Sequence, residues 1–272
     1  MAPTPRLRPE DHPIHTPRGG LFARSWRPPA VPGHRPTLLL LHDSLGCVEL
    51  WREVPERLAR ATGLRVLAYD RLGFGRSDPH PGPLAPDFIA EEAEATIPLL
   101  RDRLGLGDLI PLGHSVGGAM AVATAARHPD LCRAVVTVSA QAFVEDRTTA
   151  GIRAEAEAFR DPARFARLAR HHGAKARWAL DAWTGTWLSP AFAGWTQDEA
   201  LRRLRCPLLA LHGDRDEYGS PAHPRRLAAL TPAPAEVVLL DGCGHLPHRE
   251  QPARLVAEVA RFLSAHAIAG DP

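Results

Sequence analysis

Lysine is almost missing from this 272-residue chain. It occurs once, at Lys175, so arginine carries nearly all the positive charge. The formal net charge is only +2, and no block of basic residues of the kind that tracks nucleic acid or anionic lipid is present. Neither is an expected partner. Long apolar runs are missing too. The longest, Leu38 to Leu41, is the size of a strand and far short of a membrane span. The N-terminal stretch through Arg6, Arg8, Asp11 and Pro13 lacks the apolar segment of a secretory signal. Cysteine is sparse: Cys47, Cys132, Cys206 and Cys243 are widely spaced, with no CxxC pair. That spacing argues against zinc. With no secretory signal it predicts reduced thiols in a cytoplasmic protein. No metal or cofactor is expected.

What the chain has is enough apolar residue, 44%, for one large domain. Residues 1–18 read as a loose lead-in. Short apolar runs then alternate with helical patterns: strands at 20–26, 37–41, 64–69, 109–112 and 134–138, with helices between them. Leu50, Val54 and Leu58 share one face of the first helix. A helix from an Asp87 cap carries Ile89, Ala93, Ile97, Leu100 and Leu104 inward, with Pro98 as an expected kink. Strands alternating with helices imply parallel crossovers and an α/β sheet covered on both faces. Pro111 is a misfit, because it removes a ladder donor from a central strand.

After Ala140 the rhythm breaks. Residues 141–203 read as helix upon helix, and the alternation resumes at 207–211, 221–230, 236–240 and 252–266. The expected organisation is a core domain of residues 1–140 and 204–272 with a helical cap inserted at 141–203.

Gly113-His114-Ser115-Val116-Gly117 has the form G-x-S-x-G, entered from an apolar strand and left by an Ala-rich helix. Only small residues two positions either side fit so tight a turn, which lifts a serine hydroxyl to the sheet edge. A serine needs a base to take its proton, and the base needs a carboxylate to hold it. Asp216 follows the strand at 207–211 and is preferred to Asp214, which suits a turn cap. His245 follows the strand at 236–240, where Gly242 and Gly244 permit the chain to bend back. His248 is the rival. A developing oxyanion needs two backbone donors. Val116 N–H is one, and the loop His42-Asp43-Ser44-Leu45-Gly46 supplies the other.

Taken together, these residues resemble α/β-hydrolase-fold proteins over nearly the whole chain. The family's Asp-x-x-Gly-x-Gly-x-Ser is intact from Asp70 to Ser77. Its Gly-x-x-Asp matches Gly213 to Asp216, and its Gly-His matches Gly244-His245, continued by Glu250-Gln251-Pro252. His42-Asp43-Ser44 departs from the family's His-Gly-x at Asp43. The resemblance makes Ser44 N–H the second oxyanion donor and implies a serine-nucleophile hydrolase acting on a small molecule. A weaker similarity is to the biphenyl-hydrolase-like and valacyclovir-hydrolase group. That group has an acidic residue where this chain has Val116, so its preference for amino-acid esters is not carried over. The serine argues against haloalkane dehalogenases and epoxide hydrolases, which use aspartate.

The expected substrate is a carboxylic ester with an apolar or aromatic part. Amides, lactones, thioesters and ketone-activated carbon–carbon bonds stay open, because one triad serves them all. So do a cofactor-free perhydrolase or oxygenase and a non-catalytic ligand receptor. Trp178, Trp183, Trp187 and Trp195, with Phe143, Phe159, Phe165 and Phe192, either line a pocket above Ser115 or build the cap's own core. Leu45, His114, Trp183 and Trp187 are the candidate substrate contacts. Arg160, Arg164, Arg167, Arg170 and Arg177 read as a solvated helix face, with attraction of an acidic substrate as the less favoured alternative.

Overall fold

In a computed structural model, which describes residues 6–29 and 35–268, eight strands form one sheet. They are β1 (Glu10–Thr16), β2 (Gly19–Trp26), β3 (Thr37–Leu41), β4 (Val66–Asp70), β5 (Leu109–His114), β6 (Val135–Val138), β7 (Leu208–Gly213) and β8 (Ala235–Leu240). The spatial order is β1-β2-β4-β3-β5-β6-β7-β8. The two edge pairings of β2 are antiparallel and the rest of the sheet is parallel.

The sheet is buried on both faces because its central strands are apolar at every position, not at alternate ones. Leu39 and Leu41 of β3 and Leu67 and Tyr69 of β4 join one core cluster, with α4 (Val116–Arg127) and α3 (Ile97–Leu104). Leu38, Leu40, Val66 and Ala68 point the other way, toward α1 (Val54–Thr62) and α11 (Pro252–Ala265). In α11, Leu255, Val259 and Phe262 are buried along one stripe.

Four details differ from the sequence reading. Residues 10–16 are not a loose lead-in but β1, an edge strand whose Pro13 is tolerated because an edge needs fewer donors; residues 1–5 of that lead-in lie outside the described residues. Leu50 does not belong to the first helix. It sits in a single 3-10 turn, Val48–Trp51, and the chain breaks at Arg52, whose φ is 52°, before α1 begins. Pro98 does not kink a regular helix. α2 (Phe88–Glu91) runs into a wider π turn, Glu92–Thr96, and α3 starts at Ile97. The wider turn accommodates the bond that Pro98 cannot donate. The Pro111 misfit resolves by register. Leu109 bonds to Leu131 and Arg133, so the odd positions of β5 face β6. On that side β5 bridges Cys132 at Leu109 and joins β6 from Leu112, so the missing donor falls in the gap between the two.

Between β6 and β7 lie α5 (Asp146–Ala158), α6 (Pro162–His172), α7 (Ala176–Trp187) and α8 (Asp198–Arg202), with no strand among them. After β7 come α9 (Ala222–Leu230), β8 and α10 (Pro247–Glu250). The helical segment is fastened to the core by polar contacts. His172 accepts from Gly75 N–H at 2.9 Å and donates Nε2–H to Leu45 O at 3.0 Å. Lys175 Nζ donates to Gly75 O, and Trp178 Nε1–H to Gly82 O. Trp178 packs so closely on the loop after β4 that a Cβ at Gly73 (φ 90°) would lie 2.2 Å from its ring. Gly73→Ala therefore combines backbone strain with a clash. We expect it to lower unfolding free energy by about 1–3 kcal/mol. Urea denaturation checks this, and an unchanged midpoint would show that the helical segment does not lean on this loop.

Candidate active site

The candidate nucleophile, acid, base and oxyanion residues come from the C-terminal ends of parallel strands, where α/β sheets place their ligands, whereas Trp183 and Trp187 lie on α7. Ser115 stands between β5 and α4 with φ 55° and ψ −123°, a strained conformation for a non-glycine residue. The local sequence makes that turn feasible. A Cβ at residue 113 would lie 1.9 Å from Gly117 O, and one at residue 117 would lie 2.1 Å from Leu41 O. Both positions must therefore be glycine for α4 to start against the ends of β3 and β5. The Ser115 hydroxyl donates to Gln141 Oε1 across 3.4 Å.

Asp216 and His245 are brought together by β7 and β8. His245 Nδ1–H donates to Asp216 Oδ2 at 2.8 Å. The other carboxylate oxygen accepts from Tyr218 N–H at 2.8 Å and Gly219 N–H at 3.0 Å. Burial pushes the Asp216 carboxyl up, but the His245 hydrogen bond, the two nearby histidines and the backbone donors outweigh it and hold it at about 2. Burial likewise pulls the His245 imidazole down, and the Asp216 hydrogen bond and charge outweigh that and raise it above 6.5. The loop carrying His245 is held by Glu250, which accepts from Gly244 N–H and Leu246 N–H, and by Glu217, which accepts from His245 N–H. The rivals lie elsewhere. Asp214 is exposed, and His248 is buried with its ring against His114 and Trp51.

The loop after β3 is unlike a simple turn. Asp43 Oδ1 accepts from Leu45 N–H at 2.8 Å, and its backbone oxygen accepts from the buried Arg71 guanidinium at 2.9 Å. Asp43 Oδ2 faces His114 Nδ1 at 3.1 Å, while His114 Nε2–H donates to His245 O at 2.7 Å. Desolvation pushes the Asp43 carboxyl up, but the His114 hydrogen bond and charge bring it well below its ordinary value. The aspartate that departs from the usual glycine thus ties this loop, through one imidazole, to the backbone of His245. Val116 opens α4, so its N–H has no acceptor within its own helix.

A cavity of about 560 Å³ lies over Ser115, lined by Ser44, Leu45, His114, Trp183 and Trp187 among others. His114 borders it, but both its ring nitrogens are engaged by protein groups. Of the other aromatics between β6 and β7, Phe159 lines the cavity. Trp178 is spent on the core contact, Phe165 lies under Arg177, and Phe192 stacks on Trp195. Sequence reasoning missed Gln141, Ile152, Glu217 and Tyr218, which also line the cavity. Only Gln141, just past the end of β6, had a positional signal. Among the described residues no group of three or more His, Cys, Asp or Glu is placed to hold a metal. All four cysteines are buried and free.

Curated relatives match part of the chain. The (lyso)-N-acylphosphatidylethanolamine lipase of Homo sapiens is 31% identical over 109 residues, 40% of this chain and 31% of that one. A proline iminopeptidase of Lactobacillus helveticus is 37% identical over 91 residues, 32% of this chain and 30% of that one. The matched segments thus span about a third of these relatives. Solved structures match more completely in shape. A membrane phospholipase A described as a bacterial virulence factor superposes with TM-score 0.76 at 21% identity, covering 96% of this chain and 87% of that one. The enol-lactonase of Burkholderia xenovorans LB400 gives 0.72 at 22% identity, with 93% and 100% covered. The family model for the alpha/beta hydrolase fold matches residues 36–252. With that match spanning most of the chain over the sheet just described, the chain belongs to the α/β-hydrolase fold family.

Proposed function

We propose that this protein is a serine hydrolase that cleaves a carboxylic ester, with Ser115 as nucleophile, His245 as base and Asp216 as the acid that orients it. The observation that carries the reading is the 2.8 Å bond from His245 to a buried Asp216, set in the same cavity as a serine held in a strained elbow. The Ser115 hydroxyl turns from Gln141 toward His245 Nε2 and gives up its proton as Oγ attacks the acyl carbon. The oxyanion is received by the Val116 and Ser44 N–H groups. His245 then returns the proton to the leaving alcohol, and water, deprotonated by the same imidazole, hydrolyses the acyl-enzyme. Asp216 fixes the tautomer with Nε2 free to accept. The cavity wall of Leu45, Ile152, Phe159, Leu168, Trp183 and Trp187 suits an apolar or aromatic substrate part.

The first test is hydrolysis of p-nitrophenyl esters of graded acyl length. We expect Ser115→Ala to lower turnover by about 10⁴-fold or more. Faster cleavage of L-proline p-nitroanilide than of every ester would overturn the ester reading in favour of an amide. A folded wild type no more active than Ser115→Ala on any of these substrates would overturn the hydrolase reading itself.

The pH dependence has a defined sign. His245 must be neutral to accept a proton, and its folded-state value is raised above 6.5. The kcat/KM of the wild type should therefore climb with pH through a midpoint above 6.5. Asp216→Asn removes the charge that raises it and the acceptor that sets the tautomer. It should shift that midpoint downward and lower kcat by about 10⁴-fold. A wild-type midpoint at or below 6.5 is the contrary result.

A further inference from the structure

The cavity over Ser115 has an apolar interior and an unbalanced charge at its mouth. Three carboxylates line it, and each has a partner. Asp43 faces His114, Glu155 holds Arg164 at 2.5 Å, and Glu217 accepts from the His245 N–H. Five arginines line it as well. Arg164 is the partner of Glu155, and among the described residues none of the other four guanidinium groups has an ion-pair partner: Arg52, Arg167, Arg170 and Arg249. They converge from two sides. Arg167 and Arg170 lie three residues apart on α6 and so share a face of that helix. Arg52 stands at the break before α1 with φ 52°, and Arg249 lies on α10, four residues past His245. Arg249 Nε is buried without a hydrogen-bond partner. Leaving a guanidinium donor buried and unpaired is costly unless something accepts from it. The other three arginines of the face read from the sequence behave differently: Arg160 pairs with Glu157, Arg164 with Glu155 and Arg177 with Asp181. The solvated arginine face expected from the sequence is therefore divided, and one part of it looks into the cavity.

We infer that Arg52, Arg167, Arg170 and Arg249 form an anion-binding collar, and that the substrate is an ester whose part remote from the scissile bond carries a carboxylate or a phosphate. This rests on the ester reading for the placement of the bond, though not for the binding of the anion. The apolar walls hold the body of the substrate and the collar fixes its charged end. Guanidinium forks suit both anions, since each offers paired oxygens. A collar of fixed cations also draws an anion inward, an effect that added salt screens.

The test compares substrates of equal length. Mono-p-nitrophenyl adipate and suberate carry a terminal carboxylate, and p-nitrophenyl hexanoate and octanoate do not. We expect wild-type kcat/KM to favour the anionic member of each pair by about tenfold at low salt. That ratio should fall toward one at 0.5 M NaCl and in R167Q/R170Q/R249Q. A ratio near one in the wild type, or one unmoved by the substitutions, overturns the collar. A second measurement does not depend on hydrolysis. Ser115→Ala is titrated calorimetrically with 4-phenylbutyrate, 4-phenylbutyl phosphate and the uncharged 4-phenylbutanamide. Either anion binding about tenfold more tightly than the amide, with the advantage lost on adding the arginine substitutions, supports the collar, and the tighter anion names the preferred charge. Equal binding of all three, or of none, rejects it. If anions bind but no ester turns over, the collar stands and the ester reading falls.

Discussion

The whole site hangs on one steric constraint, the room for α4 to begin against the ends of β3 and β5. Gly113 and Gly117 leave no Cβ where the Gly117 and Leu41 carbonyls stand. That space allows the chain to turn from strand to helix through a single residue, Ser115, held at φ 55°. The same crossing brings the loop after β3 beside the first N–H of α4, because Gly117 is the point where the helix touches the end of β3. If the helix shifted outward by the width of a methyl group, Ser115 and Val116 would move with it and the two proposed oxyanion donors, on Val116 and Ser44, would separate. The strain at Ser115 is stabilised by the surrounding sheet, whose central strands are buried on both faces.

A second layer of coupling is electrostatic. Asp216 and His245 come from adjacent strands, so the sheet register sets their separation. The orientation of the His245 loop is then fixed by three carboxyl-bearing residues around it: Glu217 and Glu250 on its N–H groups, and Asp43 through His114 on its carbonyl. Asp43 is the more informative, because it also accepts the Leu45 N–H and shapes the loop that carries Ser44. The departure from the family's usual glycine is thus matched by a histidine directly before the serine. One imidazole joins the proposed oxyanion loop to the proposed base. A change at either end of this bridge moves both halves of the site.

The sheet was legible because burial on both faces writes itself into continuous apolar runs such as Thr37–Leu41 and Val66–Asp70. β1 was illegible for the opposite reason. Residues Glu10 to Thr16 are polar and contain Pro13, and what makes them a strand is pairing with β2 and the bonds from Arg24 and Arg76 to Asp11. Those partners lie 13 and 65 residues away in the chain. The residues proposed to act on the substrate were legible because the elbow, the acid loop and the histidine loop each need particular small residues at fixed offsets. Gln141 was not. It lies two residues past Ser139, which takes a φ of 49° with no glycine to advertise the turn, and its side chain accepts from the Ser115 hydroxyl.

The helical segment shows most clearly what local pattern cannot carry. Arg164, Arg167 and Arg170 recur at a spacing of three and look equivalent in sequence. Folding makes them different, because α5 presents Glu155 to Arg164 and nothing of that charge to the other two. Whether a cation is neutralised within the protein or left for a ligand is decided by a neighbouring helix, not by its own. The aromatic residues divide in the same way. Trp178 is committed to Gly73 and Gly82, while Trp183 and Trp187, on the same helix, reach the cavity wall. On the proposed function, specificity therefore resides in how the helices between β6 and β7 pair with one another, whereas the proposed chemistry resides in loops that the sheet itself positions. That division lets the proposed substrate preference change by repacking α5 against α6 while the strained serine and the histidine bonded to Asp216 stay in place.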